Sequence, residues 1–421
     1  MSITIETSHA LQILDSRGVP TLKVFVQLSD GSVASAAVPS GMSTGQYEAV
    51  ELRDNNPARY YGKGVEQAVA HVNHELRSVI RGQDPREQWR IDQRLLEQDG
   101  TPNKERLGAN AILGVSLAVA RAAAQLCKQP LYAYLGGAQV RQLPVPMMNV
   151  INGGKHADSR LDFQEFMIVP HGAPSFAEAM RYGAETIQAL KRLLAEKGFS
   201  TAVGDEGGFS PRLGSNQYAC ELIVAAIETA GYRPGRDISI ALDPAASSFF
   251  VEGAYQLTGK ELGRKSAQEM NALYQSWIDK YPICSLEDGL AEHDWEGFQE
   301  QTTLLGDRVQ IVGDDILVTN PQFIKRAIHE RTCNAALIKL NQIGTLSETL
   351  EAIDLCRQAG WGFVISHRSG ETEDSFIADL TVAMGGGQIK TGSVCRSERV
   401  AKYNRLLEIE YELGHAAKFG R

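Results

Sequence analysis

The chain has 421 residues, of which 43% are hydrophobic and 22% charged, and its formal net charge is −9. This length exceeds what one compact core usually holds, so one large and one smaller domain are expected. The acidic balance argues against general nucleic-acid binding, which relies on clustered Lys and Arg.

The N-terminal sequence and the cysteines indicate the cellular compartment in which the protein is expected. The first twenty residues lack the basic start and apolar stretch of a signal peptide, and no run approaches the ~20 apolar residues of a membrane span. The six cysteines are scattered without a CxxC pair, which indicates neither a zinc ribbon nor a disulfide framework. We expect a cytoplasmic enzyme; a secondary surface or secreted pool cannot be read from the sequence.

The first part of the chain predicts an α+β domain. Apolar and polar residues alternate in ITIET and TLKVFVQL, and Asp30-Gly31 then turns the chain into VASAAV, a pattern typical of an antiparallel meander. Helical spacing follows from 64 to 126 and ends in the small-residue run GANAILGVSLAVARAAAQL. We expect residues 1–135 to form an N-terminal domain that caps a larger one.

The remaining residues, 136–421, predict a barrel. Paired glycines and two prolines in YLGGAQVRQLPVP mark the boundary. Two strands, VPMMNVIN and FQEFMIVP, and two helices near 175–197 and 215–230 come first. Six strand-helix pairs follow, with strands near 238–243, 282–287, 309–314, 335–340, 362–366 and 388–391. The fold class is therefore an eight-stranded, TIM-like α/β barrel of the form ββαα(βα)6, preceded by an antiparallel meander with helices.

Three acidic residues close successive predicted strands of this barrel. Asp243, Glu287 and Asp314 each close a short apolar run, in ALD, SLED and IVGDD, and Lys339 closes the next one, in ALIKL. Functional side chains of such barrels lie at the carboxyl ends of the strands, and three anionic oxygens are ligands that Mg²⁺ prefers. The alternative for each acid alone is a helix N-cap or an ordinary surface acid.

Two lysines are expected at the same rim. Cationic neighbours and desolvation should lower the pKa of Lys339 below ~10.4 and let it act as a base; the alternative is a salt bridge to one of the acids. Taken alone, Lys390 in GQIKTG would be an ordinary cation at a strand end. Its predicted position favours contact with phosphate or carboxylate.

Several loops add candidate residues. Glu206 lies in AVGDEGGF, where glycines permit turns that hold a carboxyl in a cleft as a proton donor; the alternative is a plain acidic turn. In SHRSGETED, Arg368 offers a bidentate fork for phosphate or carboxylate and Ser369 a further hydrogen bond.

Two further loops resemble mobile covers. His156 and Glu165 frame the glycine-led segment GGKHADSRLDFQEFMIVP, and a histidine in such a loop above a barrel is a lid candidate. The segment PSGMSTG resembles a flap in which Ser40, Ser43 and Thr44 are possible oxygen ligands; its alternative is a plain surface turn.

Taken in order, these strings closely resemble the enolase family over nearly the whole chain. The matching segments include LDSRGVPT, PSGMSTG, LGANAILGVSLA, FQEFMI, VGDEGGF, ALDPAAS, VGDDILVTN, IKLNQIGTLSET, SHRSGETEDSFIADL and RSERVAKYNRLLEIE. The sequence departs from the family pattern at Met42, at Tyr47 and at Gly289-Leu290, none of which is a proposed ligand or catalytic group.

The resemblance implies a reaction, a cofactor and a role for each residue. The reaction is the reversible loss of water from 2-phosphoglycerate, a small phosphorylated substrate, to give phosphoenolpyruvate. The implied roles are a first Mg²⁺ on Asp243, Glu287 and Asp314, a second arriving with substrate and joined by Ser43, Lys339 as base, Glu206 as acid, and substrate contacts from His156, Glu165, Arg368, Ser369 and Lys390. A lysine or histidine base beside Mg²⁺ is known across this superfamily.

The resemblance also implies a homo-oligomer, either a dimer or an octamer assembled from dimers. Two other readings stay open from the sequence. One is a different superfamily lyase or racemase that acts on another carboxylate, and the other is a binding or scaffold role at a surface.

Overall fold

The N-terminal part of the chain is an antiparallel sheet covered by helices. A computed structural model describes residues 3–41, 45–156, 159–258 and 263–420. The strands β1 (Ile5–Leu14), β2 (Pro20–Leu28) and β3 (Val33–Ala37) pair in that order. The helices are α1 (Glu66–His71), α2 (Arg77–Ile80), α3 (Gln88–Asp99), α4 (Ala109–Leu126) and α5 (Leu131–Gly136), and a π-helical turn at Val72–Leu76 joins the first two. The predicted meander with helices is confirmed.

Helix α4 is the centre of this part. A Cβ added to Gly114 would meet Val24 Cγ2 at 2.5 Å, so the missing side chain lets α4 pack directly on β2. By length and apolar composition α4 would suffice to cross a membrane, but 83% of it is buried inside the fold. That burial is the setting of a core helix.

The rest of the described chain alternates strands and helices. The strands are β4 (Gln142–Leu143), β5 (Val145–Asn152), β6 (Glu165–Val169), β7 (Ser239–Asp243), β8 (Phe250–Val251), β9 (Ala254–Leu257), β10 (Gly263–Lys265), β11 (Ile283–Glu287), β12 (Gln310–Gly313), β13 (Ala335–Ile338), β14 (Gly362–Ser366), β15 (Gln388–Lys390) and β16 (Lys418–Phe419). The helices are α6 (Phe176–Glu196), α7 (Asn216–Thr229), α8 (Ala267–Lys280), α9 (Trp295–Leu305), α10 (Pro321–Glu330), α11 (Leu340–Ile343), α12 (Leu346–Gln358), α13 (Phe376–Ala383) and α14 (Ser397–Leu413).

Eight of these strands close into a barrel, in the order β11-β12-β13-β14-β15-β5-β6-β7. Strand β6 pairs antiparallel with β5 and β7, and the other neighbours in the barrel are parallel. Two strands, two helices and six strand-helix pairs follow one another along the chain. The predicted ββαα(βα)6 barrel is confirmed.

The barrel strands are buried on both faces. Every residue of β5, β6, β7 and β13 is buried, which explains why these segments read as continuous apolar runs. Alternate residues along the strands, among them Val145, Met147, Met167 and Leu337, form a cluster of their own. Packed layers of this kind fill the interior of such a barrel, which leaves the strand ends as the place for a site.

The direction of β6 determines where its first residue lies. Because β6 runs against its neighbours, its N-terminal end lies at the same rim as the carboxyl ends of the parallel strands. Glu165, which begins β6, is accordingly paired with Asp243, which ends β7.

Partly buried ion pairs join the N-terminal part to the barrel. Arg121 on α4 donates from Nη1 and Nη2 to the two carboxylate oxygens of Asp374, at 2.6 and 2.7 Å. Lys104 donates to Glu348 at the start of α12, at 3.0 Å. These contacts hold the N-terminal part against the barrel.

Candidate active site

A cleft of about 240 Å³ opens at the carboxyl-end rim of the barrel. The predicted site residues that line it are His156, Glu165, Glu206, Asp243, Asp314, Lys339, Arg368, Ser369 and Lys390. Glu287 joins this group through its contact with Lys390, whereas Ser43 lies outside the described residues. Residues that are distant in sequence thus meet in one cleft.

The Lys390 ammonium lies among three buried carboxylates. Its Nζ donates to Asp243 Oδ2 at 2.8 Å and to Glu287 Oε1 at 2.7 Å, and it lies 3.5 Å from Glu165 Oε1. Burial lowers the pKa of Lys390, but these carboxylates raise it more, so the pKa lies well above its usual value. Lys390 is therefore a permanent cation in this structure.

Lys339 forms an ion pair with Asp314, the third acid that the sequence predicts as a metal ligand. Its Nζ donates to Asp314 Oδ2 at 2.5 Å. Burial lowers the pKa of Lys339, but the negative charge of Asp314 raises it more, so the pKa lies above its usual value. The expectation of a lowered Lys339 pKa is wrong, because it left out the contact with Asp314, which was the alternative in the sequence analysis.

The Glu287 carboxylate is only partly satisfied by its described neighbours. Its Oε2 is buried and has no hydrogen-bond partner in the part of the chain that the structure describes. Burial and the negative charge of Asp243 raise the pKa of Glu287 well above its usual value. A divalent cation would supply the missing partner and the missing positive charge. The oxygen donors of Asp243, Glu287 and Asp314 are therefore of the chemical type that Mg²⁺ prefers.

A second acidic group shares Asp314 with this set. Asp288, Asp314 and Asp315 each have an oxygen within 4.8 Å of the others. Asp288 accepts the backbone N–H groups of Asp314 and Asp315 at 2.8 and 2.9 Å, so it shapes the turn after β12. Burial and the charge of Asp314 raise the pKa of Asp315 to about 8. Asp288 therefore orients Asp314 rather than adding a free ligand.

Glu165 and Glu206 form a buried pair whose pKa values are shifted in opposite directions. His156 Nδ1 lies 3.7 Å from an oxygen of each. Burial and the charge of Glu206 raise the pKa of Glu165 well above its usual value. Burial also raises the pKa of Glu206, but its interactions with His156 and His367 lower it more, to well below its usual value. The two carboxyl groups are therefore coupled, and their surroundings favour the proton on Glu165 over Glu206.

Arg368 is held by a carboxylate that sequence reasoning missed. Glu48 accepts from Arg368 Nη1 at 2.9 Å and from Nη2 at 3.1 Å. Both side chains are buried, with 6% and 3% exposed. Glu48 follows β3, so the N-terminal part holds a residue, Arg368, that lines the cleft. Its place in STGQYEA gives no sign of this contact.

Gln342 links this ion pair to the proposed metal ligands. Its Nε2 donates to Asp314 Oδ1 at 2.9 Å and to Glu48 Oε1 at 3.3 Å. Its Oε1 accepts the Thr319 hydroxyl at 2.8 Å, which fixes the orientation of the amide. Asp314 and Glu48 are thereby held in one hydrogen-bond network.

His367 and Arg399 were also missed. His367 Nε2 lies 3.5 Å from Glu206 Oε2, and Arg399 Nη1 lies 2.7 Å from His367 Nδ1. His367 stands inside the string SHRSGETED, so its position at a strand end was the available signal. Arg399, on α14, gave none, because the contact depends on how that helix packs behind the rim.

Fold and rim together define a barrel enzyme whose catalytic groups lie at the strand ends and whose carboxylates suit a divalent cation. Residues 5–135 match the family model described as "Enolase, N-terminal domain", and residues 140–421 match "Enolase, C-terminal TIM barrel domain".

Two curated proteins are similar to this chain from end to end. "Enolase 1" of Methylococcus capsulatus is 66% identical over 421 residues, and "Enolase" of Desulfotalea psychrophila is 56% identical over 421 residues; each match covers 100% of both chains. The chain belongs to the enolase family, and the resemblance found in the sequence is confirmed.

Proposed function

We propose that this protein is a hydro-lyase that reversibly removes water from 2-phosphoglycerate to give phosphoenolpyruvate, in glycolysis and gluconeogenesis. The full-length similarity to two proteins named as enolases supports the proposal. The observation that carries it is the meeting of Lys339 and Glu206, from separate loops, in one cleft with a set of buried carboxylates. Removing a proton and expelling a hydroxyl group require a base and an acid placed in this way.

Asp243, Glu287 and Asp314 hold the first Mg²⁺ in this proposal, and Ser43 joins the second, which arrives with substrate. When bound, the cations stabilise the second negative charge that develops on the substrate carboxylate as its α proton leaves. The unpartnered Glu287 Oε2 and the raised pKa of Glu287 support the first site.

Lys339 takes the α proton of the substrate. It must be neutral to do so, whereas its contact with Asp314 raises its pKa and favours the protonated form. Asp314, whose charge raises the Lys339 pKa most, would have that charge offset if it held a cation. The carboxylate that binds the cation therefore also controls the base.

Glu206 exchanges a proton with the substrate hydroxyl. In the dehydration direction it protonates the departing group, and in the hydration direction its carboxylate takes the proton back. Glu165, whose pKa is raised beside it, is the nearby acid that can supply the proton.

The remaining predicted residues bind the substrate. Arg368 and Ser369 supply donors for phosphate or carboxylate oxygens, and Lys390 supplies a fixed positive charge. His156 and Glu165 complete the wall beside Glu206. The boundary of 1–135 and 136–421, a dimeric or octameric assembly and a cytoplasmic location belong to the same proposal.

A coupled absorbance assay tests the function. The purified protein is given 2-phosphoglycerate and Mg²⁺, and phosphoenolpyruvate is measured as it forms; parallel samples contain a chelator or the Lys339→Ala variant. We expect product only with the unaltered protein and Mg²⁺. A folded protein that forms no phosphoenolpyruvate from this substrate would overturn the proposal.

A further inference from the structure

Arg399 lies behind the catalytic rim, with its side chain fully buried. Its Nη1 donates to His367 Nδ1 at 2.7 Å and to the Arg368 carbonyl at 2.6 Å. Its Nη2 donates to the Ser369 carbonyl at 2.7 Å and to the Asp205 carbonyl at 3.2 Å. One guanidinium thus contacts both loops that bring His367 and Glu206 together.

The contact with His367 determines where that ring carries its proton. A guanidinium has only N–H donors, so the atom it points at, His367 Nδ1, must present a lone pair. The ring is then neutral and carries its hydrogen on Nε2. That Nε2 lies 3.5 Å from Glu206 Oε2, and the backbone N–H of His367 is fixed on the Lys390 carbonyl at 2.9 Å.

The charges around the ring agree with a neutral His367. Burial, and after it the positive charge of Arg399, disfavours the protonated ring, whereas Glu206 and Glu371 favour it. The balance lowers the pKa of His367 to about 4. The imidazole therefore faces Glu206 as a neutral donor at neutral pH.

We propose that Arg399 is a positioning residue that fixes His367 as the Nε2–H tautomer and so directs a hydrogen-bond donor at Glu206. The inference rests on the proposed function only in taking Glu206 as the acid. Arg399 acts through His367 and does not touch the substrate.

The effect falls on one half of the reaction. When Glu206 gives up its proton, the His367 N–H stabilises the carboxylate that remains, so proton donation to the departing hydroxyl becomes easier. Removal of the α proton by Lys339 does not use this contact. Loss of Arg399 should therefore slow dehydration and leave α-proton exchange intact.

The tautomer is tested in the unaltered, ligand-free protein. The full chain is labelled with ¹⁵N-histidine, and the His367 ring signals are assigned by their loss in a His367→Gln variant. We expect Nε2 at the shift of a protonated nitrogen and Nδ1 at that of an unprotonated one, unchanged across neutral pH. A protonated Nδ1 would overturn the proposal. The result does not depend on activity, so it stands apart from any failure of the proposed function.

Two variants test the functional consequence. Arg399→Met removes the donors, and we expect the dehydration rate to fall about 10- to 100-fold, the range typical of residues that orient a catalytic group, with α-proton exchange into deuterated solvent retained. Arg399→Lys keeps a charge and one donor direction and should recover part of the rate and the Nε2–H signal. The control is Arg405→Gln, on the same helix, whose partners are Asp379, Glu408 and Glu412; it should behave as the unaltered protein.

The outcomes separate positioning from a general structural role. If exchange and dehydration fall together in Arg399→Met, or if its His367 ring keeps the Nε2–H tautomer while the dehydration rate falls, the proposal is wrong. If the variant does not fold, the spectrum of the unaltered protein decides.

Discussion

Replacing Lys390 by methionine should make the free energy of unfolding depend strongly on Mg²⁺. The substitution removes a cation that lies 2.8 Å from Asp243 and 2.7 Å from Glu287 and keeps a similar apolar stem. At an effective dielectric constant of ~20, each contact is worth about 6 kcal/mol before desolvation is counted. The measured cost of leaving buried charges without their partner is about 3–5 kcal/mol.

We therefore expect Lys390→Met to be about 3–5 kcal/mol less stable than the unaltered protein when Mg²⁺ is absent. The freed carboxylates should then bind the cation at least about tenfold more tightly, a difference of about 1.4 kcal/mol. Because a ligand that binds only the folded protein stabilises it, Mg²⁺ should recover more of the lost stability in the variant. The assay is thermal and urea unfolding at a series of Mg²⁺ concentrations.

The matched control is Lys325→Met. Lys325 pairs with Glu351 at 3.1 Å, but both side chains are about half exposed, at 55% and 54%, and such pairs contribute roughly 0–1 kcal/mol. The control should show the Mg²⁺ response of the unaltered protein. If Lys390→Met matches this control in stability and in Mg²⁺ dependence, these carboxylates are not a cation site.

Three further changes test other parts of the reasoning. Lys339→Ala should stop exchange of the substrate α proton with deuterated solvent, whereas Glu206→Gln should keep exchange but lose dehydration; mass spectrometry of the recovered substrate measures both, and exchange in the lysine variant would refute its role as base. Asp243→Ala should weaken Mg²⁺ binding in calorimetric titration, and an unchanged curve would argue against a cation site on Asp243, Glu287 and Asp314. Asp374→Asn should destabilise the protein by about 3–5 kcal/mol at neutral pH, because it leaves the Arg121 guanidinium without its buried partner. Burial raises the pKa of Asp374, but Arg121 lowers it more, to below its usual value. This pair's contribution is therefore present above the unfolded-state pKa of ~3.9 and is lost as the pH falls through the folded value. The difference between Asp374→Asn and the unaltered protein in urea unfolding should shrink below about pH 4, and a difference that persists there would contradict the argument.

The sequence predicted the barrel and most of the rim because both depend on local order. Strand ends can be located from apolar runs, and Asp243, Glu287 and Lys339 stand at such ends. In a closed barrel those ends meet at one rim whatever the remaining details. Knowing the strands was therefore enough to bring these residues together.

What the sequence could not supply were contacts that cross between elements. Glu48 reaches Arg368 from 320 positions away, and Arg399 reaches His367 from a helix packed behind the rim. The predicted direction of the Lys339 pKa shift was wrong for the same reason, since that direction depends on a 2.5 Å contact with Asp314. Distances of this kind follow from packing, which residue type and spacing do not fix.

The pairing of Glu48 with Arg368 makes the two parts of the chain inseparable in a chemical sense. A barrel released from residues 1–135 would keep Lys339, Glu206 and the three acids proposed to bind Mg²⁺. Its Arg368 guanidinium, however, would lose the Glu48 carboxylate that holds it in place. A change on either side of this contact must therefore suit the other, so the halves should be inherited, exchanged and engineered as a unit.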